Sequence, residues 1–299
     1  MSGVRLGRAD RDGQAIALAQ VRGATYALAD LLPDAPGVKE GVLDPLFADW
    51  DRHAAAVRSL DPAGARAVEG ELRFLAPLER PPHLICIGTN YRDHIAEMGV
   101  PTTPEFPYAF LKPVTTIAPP GGPVTLPAMS AMVDWEAELG VVIGRRARNV
   151  PVAGALDVVA GYLPLNDVSA RDWIDARPSL GIDWVMQKAH DGFNPLGPWI
   201  TLAADVPDPQ AIPVQCFVNG ALMQDSSTAN MVFSVAEIIA HLSSIMTLSP
   251  GDIIATGTPA GVGFGRTPRR FIAPGDVVTV ALGEIGSLST RFVSAEAAL

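Results

Sequence analysis

"MVDWEAELGVVIG", residues 132–144, decides how this chain is read. Its residues alternate with a period of two, the repeat of a β-strand. Val133, Trp135, Ala137, Leu139 and Val141 fall on one face, and Asp134, Glu136 and Glu138 on the other. No lysine or arginine follows until Arg145. A strand with a solvated face would account for the acids. A cation site would also account for them, because adjacent like charges repel, and hard divalent ions such as Mg²⁺ or Mn²⁺ favour carboxylate oxygens. Spacing alone leaves both readings open.

Three neighbouring stretches bear on the choice. In "YLPLNDVSARDW", residues 162–173, Asp167 ends an apolar run just before a helix that Ser169 and Asp172 are expected to cap. It is either a turn acid or a third oxygen ligand. "WVMQKAHDGFNPLGP", residues 184–198, sets Lys188 and His190 at the end of another apolar run. An ammonium is costly there unless a carboxylate meets it. "GTNYRDHIAEMG", residues 88–99, leaves a strand and starts a helix, with His94 and Glu97 three apart on one face. Such a pair is a surface contact, or a general base whose imidazole is held by a carboxylate.

The rest of the chain frames these segments. It has 299 residues, 48% hydrophobic and 18% charged, enough for one large domain and a small one. A net charge of −10 repels phosphate backbones and anionic lipid surfaces, so neither nucleic acid nor membrane is an expected partner. No apolar run is long enough to span a bilayer and MSGVRLGRADRDG has no signal core, so a cytoplasmic location is expected. Cys86 and Cys216 sit in apolar runs and read as reduced core residues.

Residues 4–32 read as a small β meander with turns at Asp12-Gly13 and Arg22-Gly23. A helix follows, with Asp44 as N-cap, Pro45 in its first turn, and Leu46, Trp50, Val57 and Leu60 on one face. The proline-rich segment 76–82 marks a boundary between a small β-rich unit, residues 1–75, and a larger one, residues 76–299. In the larger unit Asn219-Gly220 signals a hairpin, and Pro-Gly-Asp turns at 250–252 and 274–276 each open a strand. Ser234 and Glu237 form a capping box on one good helix. His53, His83 and His241 read as rim residues. There are no repeats and no regular strand–helix alternation, so the expected class is mainly β within α+β.

Taken together, "ICIGTNYRDHIAEMG", "AFLKP", "VDWEAELGVVIG", "LNDVSARD", "QKAHDGFNPLGP", "VNGALMQDSSTANMVFS" and "GDIIATGTPAGVG" resemble, in order, the fumarylacetoacetate hydrolase superfamily. The resemblance covers residues 77 to the C-terminus and is weaker over the first 75. It implies a mixed β-sandwich or β-roll catalytic domain and a homodimer. It also implies Mg²⁺ or Mn²⁺ on Glu136, Glu138 and Asp167, with His94 as base and Glu97 as its orienter. Lys188 would meet substrate and a ligand carboxylate, and Thr258 would sit at the oxyanion end. Asn90, Tyr91, Phe110 and His190 would contact substrate, with Arg92, Lys112 and Arg171 as anion contacts. The glycine-rich "GTPAGVGFG" lacks the Gly-Lys-Ser/Thr of a phosphate loop and reads as a turn bringing backbone to the metal pocket. "VPTTPEFPYA", residues 100–109, could close as a lid.

The implied substrate is a small 2-oxo acid, and the implied reaction is hydrolysis of a carbon–carbon bond in a 1,3-dicarbonyl acid. Decarboxylation of a 2-oxo acid, isomerisation of a dienedioate, dehydration of an oxo sugar acid and a non-catalytic ligand-binding relative are the alternatives. Three departures set this chain apart. Ile174 stands where relatives acting on oxaloacetate or short acylpyruvates often carry glutamine, His190 where many have an aromatic residue, and Thr89 beside Asn90 where leucine or arginine is usual. The expected pocket is therefore adapted to a bulkier or more polar substrate.

Overall fold

The computed structural model describes residues 3–99, 102–175 and 181–298. Its strands form a ten-stranded mixed sheet, a five-stranded sheet and two short ladders, so the chain is α+β and mainly β, as expected. The large sheet runs in the order Ala24–Ala27, Gln14–Val21, Val4–Arg11, Trp199–Leu202, Val159–Asn166, Ala137–Ile143, Ile253–Ala255, Leu84–Gly88, Tyr108–Lys112. Arg73–Leu75 also pairs with Val4–Arg11. Among the described residues no helix is long and apolar enough to cross a membrane.

The strand read over 132–144 is broken in two. Val133–Asp134 pairs with Ser169–Ala170, and Ala137–Ile143 runs between Val159–Asn166 and Ile253–Ala255. Every residue of Ala137–Ile143 is buried, which removes the solvated-face reading. Ala137, Leu139, Val141 and Ile143 pack into the core beneath the five-stranded sheet, with Val214, Val280 and Leu288. Val142 faces a second core, with Leu163, Ile200 and Ile253. A strand coated on both faces needs near-continuous apolar sequence, so charged residues at its end are there for a purpose other than solubility.

The N-terminal meander forms with its two expected turns, Asp12 and Arg22 both at positive φ ahead of glycine. It also extends the large sheet, since Arg5, Leu6 and Gly7 pair with Thr201, Ile200 and Trp199. Leu6, Phe47 and Trp50 share one core with Leu84, Cys86 and Ala255. Arg8, 2% exposed, donates to the carbonyls of Gly41 and Ala76 and pairs with Glu79, pinning the proline-rich linker to the meander.

The helix expected after the meander is two short ones, Asp44–Ala48 and Trp50–Arg58, burying Leu46, Trp50 and Val57. Asp44 is not the N-cap. It occupies the first helical position, and its carboxylate accepts from the backbone of Glu79 and Arg80 in the linker. Ser169 and Asp172 likewise serve elsewhere. The Ser169 hydroxyl donates to the Asp167 carbonyl, and the Asp172 carboxylate accepts from Ala131 and Met132. Both cysteines are buried and reduced. The Asn219-Gly220 hairpin forms with both residues at positive φ, and each Pro-Gly-Asp turn opens a strand.

The capping box on Val235–Ile245 is complete: Ser234 Oγ accepts from the Glu237 backbone while Glu237 accepts from the Ser234 N–H. The helix buries Val235, Ile238, Ile239 and Leu242 against the main core. Ser234→Ala is expected to lower unfolding free energy by about 1 kcal/mol, measured by urea denaturation, because one orphan N–H loses its acceptor.

Candidate metal centre

Pairing of Ala137 with Asn166 places the open ends of two central strands side by side, with an acid on each. The Glu136 N–H donates to Asn166 Oδ1 at 2.9 Å and the Asp167 N–H to the Glu136 carbonyl at 3.0 Å, which locks the two chain ends together. Glu136, Glu138 and Asp167 each bring one carboxylate oxygen within 4.8 Å of the others. They are 6%, 1% and 2% exposed. Asp134, on the same face by periodicity, leaves this set. The break at Trp135–Glu136 turns it toward Arg171 and the N–H groups of Gly263 and Phe264.

Three buried cations answer the acids. Lys188 Nζ lies 2.8 Å from Glu136 Oε2 and 2.7 Å from Asp167 Oδ2. Lys112 Nζ lies 2.6 Å from Asp167 Oδ1 and donates to the Phe193 carbonyl, so the expected anion contact is a buried counter-ion. Arg171 bridges Asp134 and Glu136 at 3.0 and 2.6 Å. Among the described residues four carboxylates face three cations, which leaves one negative charge.

That residual charge falls on Glu138. Among the described residues its one hydrogen-bond partner is the Gly257 N–H, at 2.7 Å on Oε2. Burial and then the charges of Asp167 and Glu136 push its carboxyl well above the ordinary range, against the pull of Lys188. Glu136 goes the other way. Burial opposes its ionisation, but Lys188 and Arg171 outweigh that and bring its carboxyl down to about 2. An all-oxygen donor set with one unrelieved carboxylate suits a hard divalent ion, which would offset the burial and the repulsion that lift Glu138.

The helix Arg92–Glu97 brings the base candidate to the same place. His94 is 7% exposed, and its Nδ1 lies 3.1 Å from Glu97 Oε2. Glu97 is fixed in turn by the Gly261 N–H, 2.9 Å from its Oε1. Nε2 is left without a hydrogen-bond partner among the described residues, on a side chain that lines the cavity over the acids. This cavity, about 190 Å³, is also lined by Thr89, Phe110, Arg171, Lys188 and Thr258. A larger cleft of about 700 Å³ lies elsewhere, between Val4–Arg5 and the loops near 205–213 and 282–285, and contains none of the three acids.

The glycine-rich loop does what its composition suggested. Its N–H groups hold Glu138 through Gly257, Glu97 through Gly261 and Asp134 through Gly263. Gly257 and Gly261 both have positive φ, and a Cβ on Gly261 would meet the Met223 carbonyl oxygen at 2.1 Å. Thr258 donates to the Ala137 carbonyl and accepts from Gln224. Gln224, fully buried, also binds the Ala137 N–H and the Pro259 carbonyl and so clamps the strand bearing Glu138 to the loop. Sequence reasoning assigned Gln224 no role. A lone amide in a hairpin carries no local signal, since its partners are 34 and 87 residues away.

Other expected contacts lie off the cavity. Asn90 spends its amide on Phe233 and Thr256, tying the start of the His94 helix to neighbouring loops. Arg92 is exposed and bonds the Met231 carbonyl. Tyr91 is buried and does not line the cavity. His190 does not add a polar group to the wall. Its Nε2 lies 3.0 Å from the Met186 carbonyl and its ring packs on Phe193. Of the lid candidate, Val100 and Pro101 lie outside the described residues, and Phe106 is exposed and stacks on His241.

The model of the fumarylacetoacetate (FAA) hydrolase C-terminal family matches residues 83–293. A Burkholderia multivorans protein provisionally named a hydrolase is 44% identical over 237 residues, 79% of this chain and 83% of its own length. Fumarylacetoacetate hydrolase from the psychrophile Exiguobacterium antarcticum superposes with a TM-score of 0.84 at 33% identity, covering 97% of this chain and 99% of that one. Maleylpyruvate hydrolase from Sphingobium sp. SYK-6, solved with manganese (II) ion and pyruvate, gives 0.78 at 29% identity over 97% and 99%. A 2-hydroxyhepta-2,4-diene-1,7-dioate isomerase from Mycobacterium marinum gives 0.74 at 34% identity over 98% and 99%. The chain belongs to the fumarylacetoacetate hydrolase superfamily.

Proposed function

We propose that this chain is a divalent-metal-dependent hydrolase that cleaves a carbon–carbon bond in an acylpyruvate-type 2,4-dioxo acid. The observation that carries this reading is the buried Glu136, Glu138 and Asp167 cluster in one cavity with the His94–Glu97 pair. Manganese and pyruvate in the Sphingobium hydrolase support it, since pyruvate is one product of such a cleavage.

Mg²⁺ or Mn²⁺ held by the three carboxylates would act as a Lewis acid toward the 2-oxo and carboxylate oxygens of the substrate. The remaining work belongs to the chain's own side chains. His94 Nε2 takes a proton from water while Glu97 keeps Nδ1 oriented and stabilises the imidazolium. The water oxygen bonds to the 4-oxo carbon, the bond between carbons 3 and 4 breaks with its electron pair on carbon 3, and His94 returns the proton there. The products are a carboxylic acid and pyruvate. Lys188 and Lys112 hold Asp167 and Glu136 in place and so position the oxygens that would bind the metal. Hydrolysis is preferred over decarboxylation because only hydrolysis needs a carboxylate-backed imidazole beside the cavity.

Two outcomes check this. Glu138, lifted above its ordinary value of 4.5, retains a proton where a free glutamate has lost it, so an incoming dication must displace that proton. Mn²⁺ affinity should therefore tighten as pH rises above that range. Calorimetry in buffers of different ionisation heat should show proton release, and Glu138→Gln should remove both binding and release. His94→Ala should lower kcat/KM for an acylpyruvate by about 10²- to 10⁴-fold while leaving Mn²⁺ affinity unchanged.

A further inference from the structure

We propose that the Thr258 hydroxyl meets the cavity only as a hydrogen-bond acceptor, that Gln224 fixes it in that role, and that it holds the second hydrogen of the water His94 activates. The last clause rests on the hydrolase reading, and the polarity rests on the hydrogen bonds alone.

Ala137 stands in the chain between Glu136 and Glu138, just past the end of a ladder. The register with Ile253–Ala255 covers Gly140, Val141 and Val142, and the Thr256 N–H adds a bond to the Leu139 carbonyl. Closer to the acids, two side chains stand in for the missing strand. The Ala137 N–H donates to Gln224 Oε1 at 3.0 Å, and the Ala137 carbonyl accepts from Thr258 Oγ1 at 3.0 Å. Gln224 Nε2 closes the ring by donating to Thr258 Oγ1 and to the Pro259 carbonyl, each at 2.8 Å.

This ring runs in one direction. With the amide turned over, its NH2 would face the Ala137 N–H and its oxygen the Pro259 carbonyl, donor against donor and acceptor against acceptor. Gln224 therefore donates to Thr258, and the single hydrogen of the threonine hydroxyl goes to Ala137. Turning that hydrogen into the cavity would leave the buried Ala137 carbonyl unpaired.

Thr258 is 4% exposed and lines the cavity together with His94. Gln224 occupies one lone pair of its hydroxyl, and the other remains. A substrate carbonyl or carboxylate oxygen placed there would set lone pair against lone pair, so the occupant must bring a hydrogen. Water brings two. One bonds His94 Nε2 and leaves as the proton. The other bonds Thr258, stays on the oxygen as it joins carbon 4, and remains on the carboxylic acid product. A water held by both hydrogens turns a lone pair toward the carbon it attacks.

Neutron diffraction from crystals exchanged into heavy water tests the polarity. The deuterium on Thr258 Oγ1 should lie toward the Ala137 carbonyl, with the Gln224 amide nitrogen facing Thr258 and Pro259. Deuterium directed into the cavity, or a reversed amide, overturns the proposal. Turnover of acetylpyruvate at saturating Mn²⁺ tests the role. Thr258→Val should lower kcat by about tenfold with KM unchanged, and Thr258→Ser should keep most of the rate. Gln224→Met combined with Thr258→Val should be no slower than Gln224→Met alone, because the glutamine acts through the threonine. Losses that multiply, or an undiminished kcat in Thr258→Val, overturn the role. Where the methionine variant does not fold, the diffraction and the two Thr258 variants decide. If the deuterium lies as stated and the unaltered enzyme cleaves no acylpyruvate, the polarity stands and the hydrolase reading falls.

Discussion

One unbalanced negative charge, left when, among the described residues, four buried carboxylates face three buried cations, is the constraint on which this structure turns. Taking charged groups out of water costs several kcal/mol per ion, and pairing recovers it only with good geometry and further hydrogen bonds. The chain meets that demand from both sides of the site. Lys112 and Arg171 each make two polar contacts with the cluster or the backbone beside it, and Lys188 makes three. The loop after Thr256 adds backbone N–H groups to Glu138, Glu97 and Asp134. Among the described residues Glu138 alone of the four forms no ion pair, and burial, then the charges of Asp167 and Glu136, raise its proton affinity.

The fold supplies the rigidity such a cluster needs. Ala137–Ile143 and Val159–Asn166 are central strands, covered on one side by the core under the five-stranded sheet and on the other by the core shared with the N-terminal meander. Their ends cannot move without unpacking both. Leu84–Gly88 delivers the His94 helix from the same sheet, through Thr89, a β-branched residue held at φ 58° where the strand turns into the site. The His94–Glu97 pair, the acids and the clamp of Gln224 thus hang from one framework.

Much of this was legible in the sequence. The i,i+3 spacing of His94 and Glu97 and the alternation of acids in 132–144 are local patterns that fix which side chains can meet. Where periodicity erred, a tertiary partner had overridden it. Asp134 shares parity with Glu136, but the strand breaks between them and Arg171 claims it. Asp44 looked like a cap because the helix signal is local, whereas its carboxylate serves a linker more than thirty residues on. Lys112 and His190, expected from sequence to face substrate, are each absorbed by a protein carbonyl or carboxylate that only the folded chain brings near. Pairing of Val4–Arg11 with Trp199–Leu202 could not be seen at all, since strand partners nearly two hundred residues apart leave no mark in local composition.

The central claim is that Glu136, Glu138 and Asp167 converge on a hard dication. Anomalous diffraction from Mn²⁺-soaked crystals, collected on either side of the manganese edge, tests it most directly. The account predicts one strong peak within coordination distance of an oxygen from each of the three carboxylates, with Lys188 and Lys112 still paired beside it. Absence of a peak at that position under saturating Mn²⁺, with the ammonium groups serving as the only counter-ions, would contradict it.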